Sequence, residues 1–167
     1  MIMKNTKYSE ILKRNRDLAK SLPDEGYEIK ILSNIITSQI NEILECTLRA
    51  DSIPANVKSG DYDNIVQDSM KYKDSNSCII FWELCNIIDG LQYKIELLNE
   101  DQFDEIFKKT ISEIDLVLKN VQKTSLVLIN RFTSLQFSNS NIRKNNLEEL
   151  ADQLNHYLDS KIPTNVR

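Results

Sequence analysis

Between Tyr27 and Gln39 the chain reads YEIKILSNIITSQ, and within that stretch its apolar spacing changes from two to three and four. An alternating run ends in Ser33-Asn34, and Ile36, Ile40, Ile43, Leu44 and Leu48 then recur at helical intervals. A strand period handing over directly to a helix period marks a βα unit, and it restricts the chain to folds in which such units repeat. The switch does repeat. Strand patterns are expected near residues 28–32, 55–58, 77–81 and 125–130, and helical stripes over about 7–21, 36–48, 101–122 and 146–160. A brief helical stretch follows Gly60, with Ile65 and Met70 expected to face the sheet. The run Cys78–Phe81, CIIF, has the unbroken apolarity of a central parallel strand buried on both faces. Right-handed crossovers then give a flavodoxin-like α/β sandwich, with a parallel sheet in the order 2-1-3-4 and helices on both faces.

The chain has 167 residues, 41% of them hydrophobic, which suits one domain with a substantial core. Residues 1–25 read as an N-terminal helical extension. Its Ile11, Leu12, Leu18 and Leu22 lie toward one side, as packing on the sheet or a dimer contact would require, and it ends before Pro23. Residues 26–167 read as the α/β domain. Beyond Pro163 the residues TNVR fall where another strand is due, so the domain reads as incomplete at that end. The net charge of −4, with Lys and Arg scattered among Asp and Glu, leaves no basic stripe for nucleic acid. A charged N-terminal segment and the lack of an apolar run near ~18 residues point away from a signal peptide or membrane span and toward the cytoplasm.

In open α/β sheets ligands gather at the carboxyl edge, where strands stop and the N–H groups of the following helices lie unpaired. Eight residues fall at such positions: Ser33, Asn34, Gly60, Asp61, Trp82, Glu83, Asn86 and Arg131. They are the expected lining of one cleft. Simpler roles stand beside that one. Ser33 and Asn34 suit caps of the following helix, Asp61 and Asp63 suit caps of the short one, and Glu83 is placed to pair with Arg131. Two carboxylates are too few for a hard cation, so no metal or cofactor is expected. The polar segment after Arg131, with Asn139, Asn141 and Arg143, is longer than a tight turn needs and suits a carboxylate, a phosphate or a phosphopantetheine arm. Cys46 and Cys78 read as small core residues. Cys85 lies near a strand end, but the single histidine, His156, sits inside the last helical stripe, where it has no evident route to a nucleophile.

The succession ILSN, amphipathic helix, GDYDNIVQDS and an apolar strand ending FWEL resembles the N-terminal domain of FkbH-type proteins, whose second domain belongs to the haloacid-dehalogenase superfamily. The resemblance runs from Tyr27 onward and implies an SGNH-hydrolase-like fold. It places Ser33 where that family has its nucleophile, although the preceding Gly-Asp is missing. It places Gly60 where the family has an oxyanion donor, and Asn86 as the sole match to the family's Asn. The family's Asp-x-x-His and the superfamily's Asp-x-Asp-x-Thr/Val have no counterpart in these residues. A serine without an adjacent base is a weak nucleophile. The resemblance therefore implies a non-catalytic module that docks a partner or substrate, in a protein transferring a glyceryl unit to an acyl carrier protein or acting in polyketide or surface-polysaccharide biosynthesis. Its partners would be an acyl carrier protein or a small acyl or glyceryl ligand, with a C-terminal haloacid-dehalogenase-type domain in the parent protein. The alternative is an SGNH-type esterase or acyltransferase using Ser33, its base supplied from elsewhere.

Overall fold

The computed structural model describes residues 6–23, 25–72, 75–134 and 145–167. Strands β1 (Tyr27–Ser33), β2 (Ala55–Ser59), β3 (Ser77–Phe81) and β4 (Leu126–Ile129) form one parallel sheet in the order β2-β1-β3-β4. This is the flavodoxin-like order expected from the alternation. Register sets the two faces. Ile31 stands beside Ile79, and Ile79 beside Leu128, while Leu32 stands beside Ile80 on the opposite face.

Helices cover these faces unequally. Cys78, Ile80, Leu32 and Val127 join Ile65 of α3 (Ile65–Lys71), Ile114 and Val117 of α5 (Glu100–Asn120) and Leu150, Leu154 and Leu158 of α6 (Asn146–Lys161) in the main core. On the other face Ile29, Ile31 and Val57 meet Ile40, Leu44 and Leu48 of α2 (Ser38–Ala50). Each aliphatic side chain so buried contributes about 1.5–3 kcal/mol. The opening helix, α1 (Tyr8–Ala19), packs on α2, with Tyr8 Oη donating to Glu42 and Asn15 bridging Glu45 and Arg49. A single-turn helix, α4 (Leu91–Lys94), lies between 3₁₀ turns at Leu84–Asn86 and Ile95–Leu97. Among the described residues no helix is long and apolar enough to cross a membrane.

Helix entry is set by local chemistry. Asn99 with Gln102 opens α5, and Asn145 with Glu148 opens α6, each pair satisfying two orphan donors in a capping box. No such box precedes α2, which begins only at Ser38. Ile36, expected in the α2 stripe, therefore lies in the loop before it and is 85% exposed. Met70 departs from expectation too. Ile65 and Ser69 face inward one turn apart, which rotates Met70 outward on α3 and leaves it exposed.

The residues after Pro163 run beside β4. The Val127 N–H donates to the Asn165 carbonyl (2.8 Å), Arg167 N–H to Val127 (2.8 Å) and Ile129 N–H to Arg167 (3.1 Å). Val166 makes a parallel bridge with Val127 and is buried.

Candidate functional site

Asparagine amides extend the sheet past the point where its main-chain pairing ends. Asn34, just after β1, accepts the Glu83 N–H at Oδ1 (2.6 Å) and donates from Nδ2 to the Glu83 carbonyl (2.9 Å). Asn130, just after β4, treats Trp82 alike, accepting its N–H (2.6 Å) and donating to its carbonyl (3.1 Å). Asn155 of α6 holds Phe132 through both main-chain groups, at 2.9 and 2.8 Å. A primary amide has one donor edge and one acceptor edge, so it can pair with a neighbouring chain as a peptide unit does. Asn86 completes the corner by donating to the Asn34 carbonyl (2.8 Å).

This geometry makes a prediction. Asn34→Ala strands two main-chain groups of half-buried Glu83, and chemical denaturation should show a loss of about 2 kcal/mol. Asn86→Ala removes one exposed donor, for a loss below about 1 kcal/mol.

Ser33, the last residue of β1, and Gly60, just past the end of the neighbouring β2, lie beside this corner. The Ser33 hydroxyl donates to the Ile35 carbonyl (2.9 Å), and the Thr37 hydroxyl stands 3.5 Å away. Neither Ser33 nor Asn34 caps α2, whose N-cap is Thr37. The Gly60 N–H is donated to the Ile31 carbonyl (2.8 Å). A β-carbon at Gly60 would collide with the buried carboxylate of Asp68. That carboxylate accepts from the Asp61 N–H (2.6 Å), the Asn64 amide (3.0 Å) and Lys71 (2.7 Å), and it holds the Lys71 ammonium above its usual pKa. Asp63 has φ of 55°, in the left-handed region that Asp tolerates, and its N–H donates to the Ser33 carbonyl (3.0 Å). The loops after β1 and β2 are thereby joined. Asp61 itself is exposed, and Asn64 rather than Asp61 or Asp63 is the N-cap of α3.

The remaining residues point elsewhere. Trp82 is buried, its ring 6.2 Å from that of Phe132 and tilted by 59°. It borders a cleft of about 240 Å³ whose walls include Asp63, Ile87, Lys109 and Glu113. Glu83 accepts the Cys85 N–H (3.4 Å), and it is Asp159 on α6 that Arg131 grips, at 2.6 and 3.0 Å. The guanidinium lowers the Asp159 pKa, so any stabilisation from this exposed pair is present above the ordinary Asp range and is lost as pH falls through the lowered value. His156 is exposed on α6. Cys46 and Cys78 are buried, and burial pushes the Cys78 thiol up to about 12. Asn139, Asn141 and Arg143 lie outside the described residues. Among those that are described, no group of three or more His, Cys, Asp or Glu side chains could hold a metal ion.

Three contributors were not anticipated. Asp68 fills the space that Gly60 leaves. Asn130 repeats the role of Asn34, and its position directly after an apolar strand is the available sequence signal. Tyr62, 65% exposed, joins Ile36 as a solvent-facing apolar group on the loops at this edge.

No family model matches the chain, and no curated protein matches it. Among solved structures it is similar to the crystal structure of the N-terminal part of the protein BF1531 from Bacteroides fragilis, described as containing a phosphatase domain complexed with Mg. The identity is 12%, the TM-score is 0.68, and the match covers 93% of this chain and 42% of that one. At that identity the likeness is one of fold.

Proposed function

We propose that this chain is a non-catalytic SGNH-like module of an FkbH-type protein, and that its carboxyl edge docks a partner or substrate while the chemistry resides in another domain. The observation that carries this reading is the commitment of Ser33. Its hydroxyl proton is donated to Ile35 O within its own turn, while the chain's single histidine stands exposed on α6. A nucleophilic serine needs a base within hydrogen-bond reach, and the contacts of Ser33 are a carbonyl and another hydroxyl. The description of the structural neighbour, an N-terminal part containing a phosphatase domain, is compatible with a division between a docking module and a catalytic one.

Docking is further supported by Ile36 and Tyr62, apolar side chains on adjacent loops at that edge. The occupant on this reading is an acyl carrier protein or the small acyl or glyceryl group it bears. The test is turnover of p-nitrophenyl acetate by the purified chain and by Ser33→Ala. Rates equal within about twofold are expected, because removing an unassisted hydroxyl removes no catalysis. A tenfold or larger loss in Ser33→Ala overturns the proposal and makes Ser33 a nucleophile.

A further inference from the structure

One buried donor at the carboxyl edge has no partner. Trp82 is 4% exposed, and among the described residues nothing bonds its indole N–H. Every side-chain nitrogen or oxygen there that is wholly withdrawn from solvent does have a partner, so this N–H reaches open space. The open space that the ring borders is the cleft of about 240 Å³ between α3 and α5. Buried polar groups are almost always satisfied, and an indole nitrogen can only donate. The position calls for an acceptor.

The walls of the cleft carry complementary groups. Ile65, Val66 and Ile87 give it an apolar side. Lys109 and Glu113, one turn apart on α5, stand 4.0 Å from each other, beyond hydrogen-bond distance, so the ammonium keeps its donors and the carboxylate its acceptors. The side chains of Asp63 and Gln67 bond no described residue. Asp63 is held among these groups by its left-handed backbone, whose N–H donates to the Ser33 carbonyl. In the order β2-β1-β3-β4 the crossovers diverge between β1 and β3, and the cleft lies beside that switch point, where open α/β sheets bind ligands.

We infer that this cleft binds a small α-amino acid with an apolar side chain. The ligand's carboxylate accepts from the Trp82 N–H and from Lys109, its ammonium is met by Glu113 and Asp63, and its side chain lies against Ile65, Val66 and Ile87. Charge selects this class. One ammonium and two carboxylates line the cleft, so a simple anion meets excess negative charge, and a simple cation leaves the donors of Trp82 and Lys109 unanswered. A zwitterion serves both. The aliphatic wall favours an apolar side chain over a polyol, and the volume lies below the ~300–1,000 Å³ of sites for drug-sized ligands, which limits the occupant to a compact molecule. This inference does not rest on the reading of Ser33.

Trp82 is the chain's single tryptophan, so its fluorescence reports on the cleft. L-Leucine and L-phenylalanine are titrated into the 167-residue chain, each beside its des-amino acid and its decarboxylated amine, with equilibrium dialysis of the radiolabelled amino acid as the direct measure. At least one amino acid should bind saturably at millimolar concentration or below, and both of its analogues should bind at least ~tenfold more weakly, because each lacks one set of charge-assisted bonds. Lys109→Met and, by dialysis, Trp82→Phe should each weaken the amino acid by about tenfold. Lys109 is exposed, so its variant keeps the test valid if Trp82→Phe does not fold. The absence of saturable binding by either amino acid at millimolar concentration overturns the inference. Analogues that bind within about twofold of the amino acid, or a Lys109→Met chain that binds it unchanged, overturn it too, because the charged groups then do not read the ligand.

Discussion

Trp82→Ala is expected to cost the fold about 3–5 kcal/mol, a large share of the stability of a single domain. The indole is 4% exposed and packs against Phe132, whose own ring is 2% exposed and whose main chain is fixed by Asn155. Truncation leaves a cavity against a partner that cannot follow, because the Asn155 amide holds Phe132 in place. Urea unfolding followed by far-ultraviolet circular dichroism measures the loss; fluorescence is unsuitable, since Trp82 is the chain's single tryptophan. A cost below about 1 kcal/mol would show that the ring's contribution lies in the adjoining cleft and not in packing.

Gly60→Ala is expected to be nearly as damaging, at about 3 kcal/mol. The added methyl meets the Asp68 carboxylate, which cannot withdraw without giving up its bonds to the Asp61 N–H, the Asn64 amide and Lys71. The double variant Gly60→Ala/Asp68→Ala should therefore lose less than the sum of the two single variants, because once the carboxylate is gone the methyl has room. Additive losses would locate the strain elsewhere.

These residues show how far the sequence could be followed. The run Cys78–Phe81 was legible as a strand from its unbroken apolarity, although only Cys78 and Ile80 of it are buried and Ile79 and Phe81, on the other face, are half-buried; helical periods located α5 and α6 to within a few residues. Periodicity does not say where a helix begins. Ile36 continues the α2 spacing backward, yet the turn that commits the Ser33 hydroxyl postpones the helix to Ser38. Near the site, position was legible and direction was not. That Trp82 and Arg131 follow strands is written in the chain, but Phe132 and Asp159, which turn them inward and outward, meet them only through tertiary packing. Gly60 likewise marks the end of a strand, whereas the carboxylate that demands a glycine comes from the next helix. Asn34 and Asn130 stand at equivalent places, but their partners are backbone groups of Glu83 and Trp82, just beyond β3, identifiable only once the strand order is known.

The asparagine joints have a bearing on acidity. Each links a neutral amide to neutral main-chain groups, so none of the contacts joining Asn34 to Glu83, Asn130 to Trp82 or Asn155 to Phe132 gains or loses a proton over the range in which carboxylates and histidine titrate. The seam along the carboxyl ends of β1, β3 and β4 therefore keeps its bonding between acid and mildly alkaline solution. The latch between α1 and α2, which runs through Asn15, Glu45 and Arg49, is by contrast built around an ion pair. On acidification the asparagine seam should therefore keep its hydrogen-exchange protection.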